Sequence, residues 1–234
     1  EKRALHKHKV DLKGLKVTLQ QSWYRKREGA PFSFSRDSEP CLRYSTFMHS
    51  HTLIIGGTGM LTDAAVALAS TTSILTSVAR TQTSLKALDA KLKDFAGTHH
   101  LVQLNWANRS HFLDSLSAHI KQVGIPSRVV AWLHDDDFGP EVARLCSSQT
   151  QPCDFFQVRG STAADPYIEA TRFTARFDSL HGVTFHQVIL GFIRTTTGSR
   201  WLRNSEISAG VLRATQARDR LSIVGVVEPW EARP

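Results

Sequence analysis

The chain has 234 residues, 41% of them hydrophobic and 21% charged, a composition ordinary for a globular protein and a length that suits one sizeable α/β domain better than two. Its formal charge of +8 is unevenly placed: residues 1–47 hold 11 Lys/Arg against 5 Asp/Glu, a net +6, leaving 18 against 16, a net +2, for residues 48–234. That division argues against a nucleic-acid role for the core, and no run approaches the ~18 consecutive apolar residues of a membrane span.

Residues 1–47 contain Lys2, Arg3, Lys7, Lys9, Lys13 and Lys16, the Arg25-Lys-Arg27 cluster, and a polar stretch with Pro31 and Pro40. They show no clean amphipathic period and read as a basic, poorly ordered extension. Met48 stands three residues before the first apolar run, so one expectation is that it is the natural start. The rivals are an organelle-targeting leader, against which five acidic residues argue, and a flexible nucleic-acid or membrane tail.

From residue 51 strands and helices alternate with short connections, which predicts a doubly wound parallel sheet of about seven strands in a single domain, residues 48–234. The strands are expected at 51–55, 74–79, 100–104, 128–133, 154–158, 185–193 and 221–227. Helices are expected at 60–70, at 83–95 with Gly97 as its stop, at 109–123 closed by Gly124-Ile-Pro126, at 141–147 behind Pro140, around 167–177, and at 205–216 with Asn204 as cap.

Leu53, Ile54 and Ile55 form the short, continuously apolar run of a strand buried on both faces, and Gly56, Gly57 and Gly59 follow at once. Strand, glycines and helix together form the context of a dinucleotide-binding turn. A pyrophosphate can lie against backbone N–H groups at a helix N-terminus only where no β-carbon intervenes. Gly56 would allow the tight turn and Gly59 the close approach; Thr62 stands where a third small residue is usual.

The three cysteines, Cys41, Cys146 and Cys153, have no metal-ligand spacing and read as reduced, buried thiols of a cytoplasmic protein. His6-x-His8 and His99-His100 lack the i, i+4 arrangement of zinc sites, so no metal is expected.

The run 53–61, Ser-Val-Ala-Arg80 closing the second strand, and Gly191 followed by Asn204-Ser-Glu-Ile-Ser208 resemble the short-chain dehydrogenase/reductase superfamily over residues 51–227. The resemblance implies that Gly56, Gly57, Thr58, Gly59, Met60 and Leu61 hold the pyrophosphate and that the end of the second strand meets the adenosine ribose. An arginine at position 80, where an acidic residue would accept from a 2′-hydroxyl, can pair a 2′-phosphate, so NADP is expected over NAD. Thr81 and Ser84 would add hydroxyl donors, Asn105 would meet the adenine edge, and Gly191-Phe-Ile193 would line the nicotinamide.

The catalytic half departs from that pattern. Superfamily members use Tyr-x-x-x-Lys, but Tyr24, Tyr44 and Tyr167 are followed four residues later by Glu28, Met48 and Thr171, and Lys121 is the last lysine in the chain. Ala131-Trp-Leu-His-Asp-Asp-Asp137 replaces the usual Asn-x-Ala-Gly. Location at the carboxyl ends of strands makes His134, Asp135 and Ser161, with Thr162 beside it, the candidate catalytic residues. Tyr167 without a lysine keeps a pKa near ~10 and suits packing better. His186 reads as a satisfied core histidine, and Arg194, Arg200 and Arg203 as a solvated loop.

The leading expectation is an atypical NADP(H)-dependent oxidoreductase acting on a small carbonyl or alcohol. A catalytically silent dinucleotide-binding sensor or scaffold is the alternative, and nucleic-acid binding through residues 1–47 is a third. A homo-oligomer is expected by analogy with related folds.

Overall fold

The structure is a computed structural model, and it describes residues 49–133, 135, 137–160 and 173–234. Their elements, in chain order, are β1 (His49–Ile55), α1 (Thr62–Ala69), β2 (Thr72–Ala79), α2 (Gln82–Lys91), β3 (Thr98–Gln103), α3 (Arg109–Val123), β4 (Arg128–Trp132), α4 (Phe138–Leu145), β5 (Cys153–Gly160), β6 (Val183–Leu190), β7 (Phe192–Thr195), β8 (Gly198–Trp201), α5 (Asn204–Ala217) and β9 (Leu221–Val224). Seven strands form one parallel sheet in the order β3-β2-β1-β4-β5-β6-β9, and β7 and β8 pair as a separate antiparallel hairpin. This is the doubly wound sheet that alternating βα units produce.

Central strands are buried on both faces, which is why they read as unbroken apolar runs. Ile54, Val130, Phe156 and Val188 pack under α1 and α5 with Leu61, Leu68 and Val211. Leu53, Ile55, Val129, Phe155 and Phe185 face α3 and α4 with Phe112, Leu116 and Phe138. Each such Leu, Ile, Val or Phe withdrawn from water contributes roughly 1.5–3 kcal/mol.

At the amino end of the sheet, Arg128 is buried and binds its neighbours through hydrogen bonds: its guanidinium donates to Thr52 Oγ1 at 2.9 Å, Thr71 Oγ1 at 2.8 Å and Leu68 O at 3.3 Å. Burial pulls its pKa down to about 10, against the opposing pull of Asp154. Cys146 and Cys153 are buried free thiols; the hydrogen bond between them, followed by burial, pushes the Cys153 thiol up.

α3 spans the residues its periodicity predicts, capped by Asn108, whose side chain accepts from His111 N at 3.2 Å, and closed at Gly124 with φ +108°. Elsewhere the boundaries differ for identifiable reasons. α4 starts at Phe138 because Pro140 sits in its first turn, where no N–H is needed. α2 ends at Lys91 rather than at Gly97. Gly97 instead marks a close passage, since a β-carbon there would lie 2.3 Å from Ser73 O.

The sixth strand ends at Leu190, not at residue 193, and the residues that follow turn back as the β7–β8 hairpin. β9 stops at Val224 because Gly225, at φ +80°, redirects Val226 to bridge Phe192. α5 is entered from Arg203, with Asn204 as its first helical residue. Residues 161–172, which include most of the helix expected around 167–177, lie outside the described residues, whereas Phe173, Phe177 and Leu180 are buried in the core.

Candidate functional site

β2 and β3 continue the sheet to one side of β1, while β4, β5, β6 and β9 continue it to the other. Crossovers therefore leave β1 and β4 in opposite directions, and a crevice opens at their carboxyl ends, where open α/β sheets bind ligands.

The glycine turn lies at this crevice. Gly56 donates to Val78 O at 3.0 Å and adopts φ +79°. A β-carbon there would stand 3.2 Å from both Cβ and the carbonyl oxygen of Trp132, so backbone and neighbour both demand glycine. Gly57 is buried, and a β-carbon there would stand 2.6 Å from Ile54 Cγ2. Gly59 differs from both: it is exposed, and a β-carbon built on it meets nothing within 4 Å.

Thr58 and Met60 are half-buried, and Leu61 is buried in the core beneath α1. Two bonds hold the turn in place. Thr62 donates through Oγ1 to Gly59 O at 2.7 Å, and Ser208 of α5 donates to Met60 O at 2.8 Å. Thr62 therefore serves as a tie at the start of α1, while Ala64 and Ala65 supply the close packing of helix on sheet.

Arg80 follows β2, is exposed, and lays its guanidinium 4.7 Å from the ring centroid of the half-buried Trp106. No carboxylate pairs with it among the described residues. Thr81 and Ser84 are occupied with each other: Thr81 Oγ1 accepts from Ser84 N at 3.3 Å and donates to Ser84 Oγ at 2.8 Å, which donates back to Thr81 O at 3.0 Å. They cap α2. Asn105 is exposed, and its Oδ1 accepts from Ala107 N at 3.1 Å, leaving the amide nitrogen toward solvent.

Of the catalytic candidates, His134 and Ser161, together with Thr162 and Tyr167, lie outside the described residues. Asp135 is exposed, and both its oxygens are engaged, one by Arg109 Nη1 at 3.1 Å and the other by Asp137 N at 2.9 Å. Arg109 also donates to Glu141 Oε2 at 2.8 Å, so Asp135 belongs to an ion-pair network bracing the entry to α4.

Gly191 is buried after β6, where a β-carbon would lie 2.0 Å from Val226 O. Its identity is thus explained by backbone packing. In the hairpin beyond it, Arg200 and Glu206 form a bidentate pair with both bonds at 2.8 Å. Arg200, then the Arg203 N–H, pulls the Glu206 carboxyl down to about 2.

His186 is the core histidine its strand position suggests. It is buried and stacked on Phe156 with centroids 4.3 Å apart, and its ring nitrogens meet Asp219 O at 3.0 Å and Asp154 Oδ1 at 3.3 Å. Among the described residues no group of three His, Cys, Asp or Glu side chains is placed to hold a metal, and no helix is long and apolar enough to cross a membrane.

Sequence reasoning missed Trp132, whose Cβ stands against Gly56, and Trp106, over which Arg80 lies. Their signal was an aromatic at or just past the end of a strand, which periodicity alone does not distinguish from core.

No protein-family model and no curated protein sequence matches this chain. Solved structures match it in fold. A short-chain dehydrogenase from Sphingobium yanoikuyae in complex with NADPH superposes with a TM-score of 0.60 at 13% identity, covering 78% of this chain and 91% of that one. A short-chain type dehydrogenase/reductase from Mycobacterium marinum gives 0.61 at 13% identity, covering 78% and 96%. The bulky-bulky ketone specific alcohol dehydrogenase from Comamonas testosteroni gives 0.58 at 12% identity, covering 78% and 89%. The chain has the Rossmann-like fold of short-chain dehydrogenases and reductases.

Proposed function

We propose that the core binds NADP(H) across the crevice at β1 and β4 and acts as an oxidoreductase on a small carbonyl or alcohol. The observation that carries this reading is the difference among the three glycines. Gly56 and Gly57 are required by the protein's own packing, whereas Gly59 faces open space at the start of α1, where a β-carbon would occupy the approach to the backbone amides.

Backbone of Gly56, Gly57, Thr58, Gly59, Met60 and Leu61 would hold the pyrophosphate. Arg80, braced on Trp106 and free of a carboxylate partner among the described residues, would pair a 2′-phosphate. Thr81 and Ser84 would fix the start of α2 beneath it. Asn105 would offer its amide N–H to the adenine edge, and the chain at Gly191 would flank the nicotinamide end. A bound nicotinamide would supply hydride to a carbonyl or accept it from an alcohol. His134 and Ser161 are the side chains assigned to the substrate oxygen, one to carry a proton and the other to donate a hydrogen bond. Asp135, held by Arg109, positions the segment between β4 and α4.

A second reading, a nucleotide-binding protein without turnover, is favoured by one observation: no lysine follows Lys121, so Tyr167 has no Tyr-x-x-x-Lys partner. Thermal denaturation with NADPH, NADH or no nucleotide tests the shared premise. NADPH should raise the midpoint more than NADH, and Arg80→Ala should remove that preference. Absence of any shift with either nucleotide would sink both readings. Hydride transfer, followed by NADPH absorbance across a panel of small ketones and aldehydes, then separates enzyme from silent binder.

A further inference from the structure

Buried polar side chains in the sheet have partners almost throughout: Arg128 on Thr52 and Thr71, His51 on Thr76, His186 on Asp154. Gln157 and Gln187 are the exceptions. They are 0% and 1% exposed, and both polar atoms of each side chain lack a hydrogen-bond partner among the described residues.

The two glutamines are not scattered. Gln157 of β5 and Gln187 of β6 are register partners, so their carboxamides leave the same face of the sheet side by side. They continue a row that runs through Val102, Val78, Ile55 and Ala131, and the row beneath them holds Leu53, Val129, Phe155 and Phe185. Small neighbours adjoin them. Ala131 is the next residue along the row, and the Gln157 carboxamide lies against the backbone of α4 at Gly139, filling the space a β-carbon there would take, 2.1 Å from Oε1.

Two uncharged amides present four N–H donors and two carbonyl acceptors. Bonding to each other would use one N–H and one carbonyl, leaving three N–H groups and a carbonyl still buried and unmet. An apolar occupant would leave all of them unmet, and an ion would itself be stripped of water with no countercharge. The matching ligand is small, neutral and both donor and acceptor. We propose that Gln157 and Gln187 form a closed binding site for ordered water between the sheet and α4, in the row that ends β1 and three residues before the ends of β5 and β6.

The test compares the full chain with Gln157→Met, Gln187→Met and the double variant, since methionine keeps the volume and removes the hydrogen bonds. Oxygen-17 relaxation dispersion counts internal waters that stay bound for longer than the protein tumbles. Each single variant should lose at least one such water and the double variant more, with the single variants melting a few degrees lower because the remaining amide loses its bridge. An unchanged water count in the double variant, with an equal or higher melting temperature, would overturn the site. Should the variants fail to fold, a high-resolution crystal structure of the unaltered chain decides. Solvent density within hydrogen-bond distance of both amides supports the proposal, and amides bonded only to protein groups refute it.

Discussion

At the scale of single residues, the glycine turn separates stability from binding. Gly56 holds φ +79° against the Trp132 backbone and β-carbon, a conformation that costs an L-residue roughly 1–2 kcal/mol before any clash. Gly56→Ala should therefore lower the unfolding free energy by about 1–3 kcal/mol in urea titration. Gly59 has no such constraint, because its φ lies outside the left-handed region and its surroundings are open. Gly59→Ala should leave stability within about 0.5 kcal/mol of the parent while weakening NADPH binding severalfold by calorimetry. A Gly59→Ala protein that binds NADPH as tightly as the parent would show that nothing approaches the backbone there.

Among elements, β1, β2 and α3 meet through a hydrogen-bonded chain that no pattern in the sequence announces. His51 Nδ1 lies 2.9 Å from Gly124 O and must donate to it, so in the neutral ring Nε2 accepts from the Thr76 hydroxyl at 2.9 Å. Thr76 Oγ1 in turn accepts from His119 Nε2 at 3.0 Å. Burial lowers the pKa of both histidines; His100, and for His51 also His119, push the same way. The sign follows directly: the unfolded chain takes up protons near pH 6.5 that the folded chain refuses, so this stabilisation is complete above that pH and is lost as pH falls below it. Urea midpoints should decline from pH 7.5 to 5.5, and less steeply in His51→Gln. Thr76→Val, which strands two ring nitrogens, should cost about 1–3 kcal/mol at pH 7.5.

The same elements show what sequence reading reaches. α3 was legible to the residue because its period and its Gly124 stop are both local signals, and its Asn108 cap is a further one that went unread. The glycine turn was legible because a positive φ is a demand on one residue. The end of β6 was not: Phe192 and Ile193 continue a strand-like run, and the break at Gly191 is imposed by the Val226 carbonyl, far along the chain. The paired glutamines belong to the same class, since register across strands brings them together. At α4 the error was chemical, treating Pro140 as a boundary when a first-turn proline leaves no hydrogen bond unmade.

For the whole molecule, β1 links two regions that do different work. Its early residue His51 anchors the hydrogen-bonded histidines, and its last residue Ile55 leads into the glycine turn. Among the described residues the two regions share no hydrogen-bond partner, and the intervening Leu53, Ile54 and Ile55 are buried, Leu53 and Ile55 in one apolar layer and Ile54 in the other. Perturbations at one region should then add to those at the other, as for separated sites in general, within about 0.5 kcal/mol. A saturating nucleotide makes this measurable. At a hundredfold excess over its dissociation constant, NADPH should add about 2.7 kcal/mol to the unfolding free energy by mass action. Thr76→Val should lower the baseline and leave that increment intact, whereas Gly59→Ala should leave the baseline and shrink the increment. The double variant should show both effects at their separate sizes. An increment that collapses in Thr76→Val would mean that the histidine chain reaches the nucleotide seat through β1 and that the sheet transmits strain along its strands.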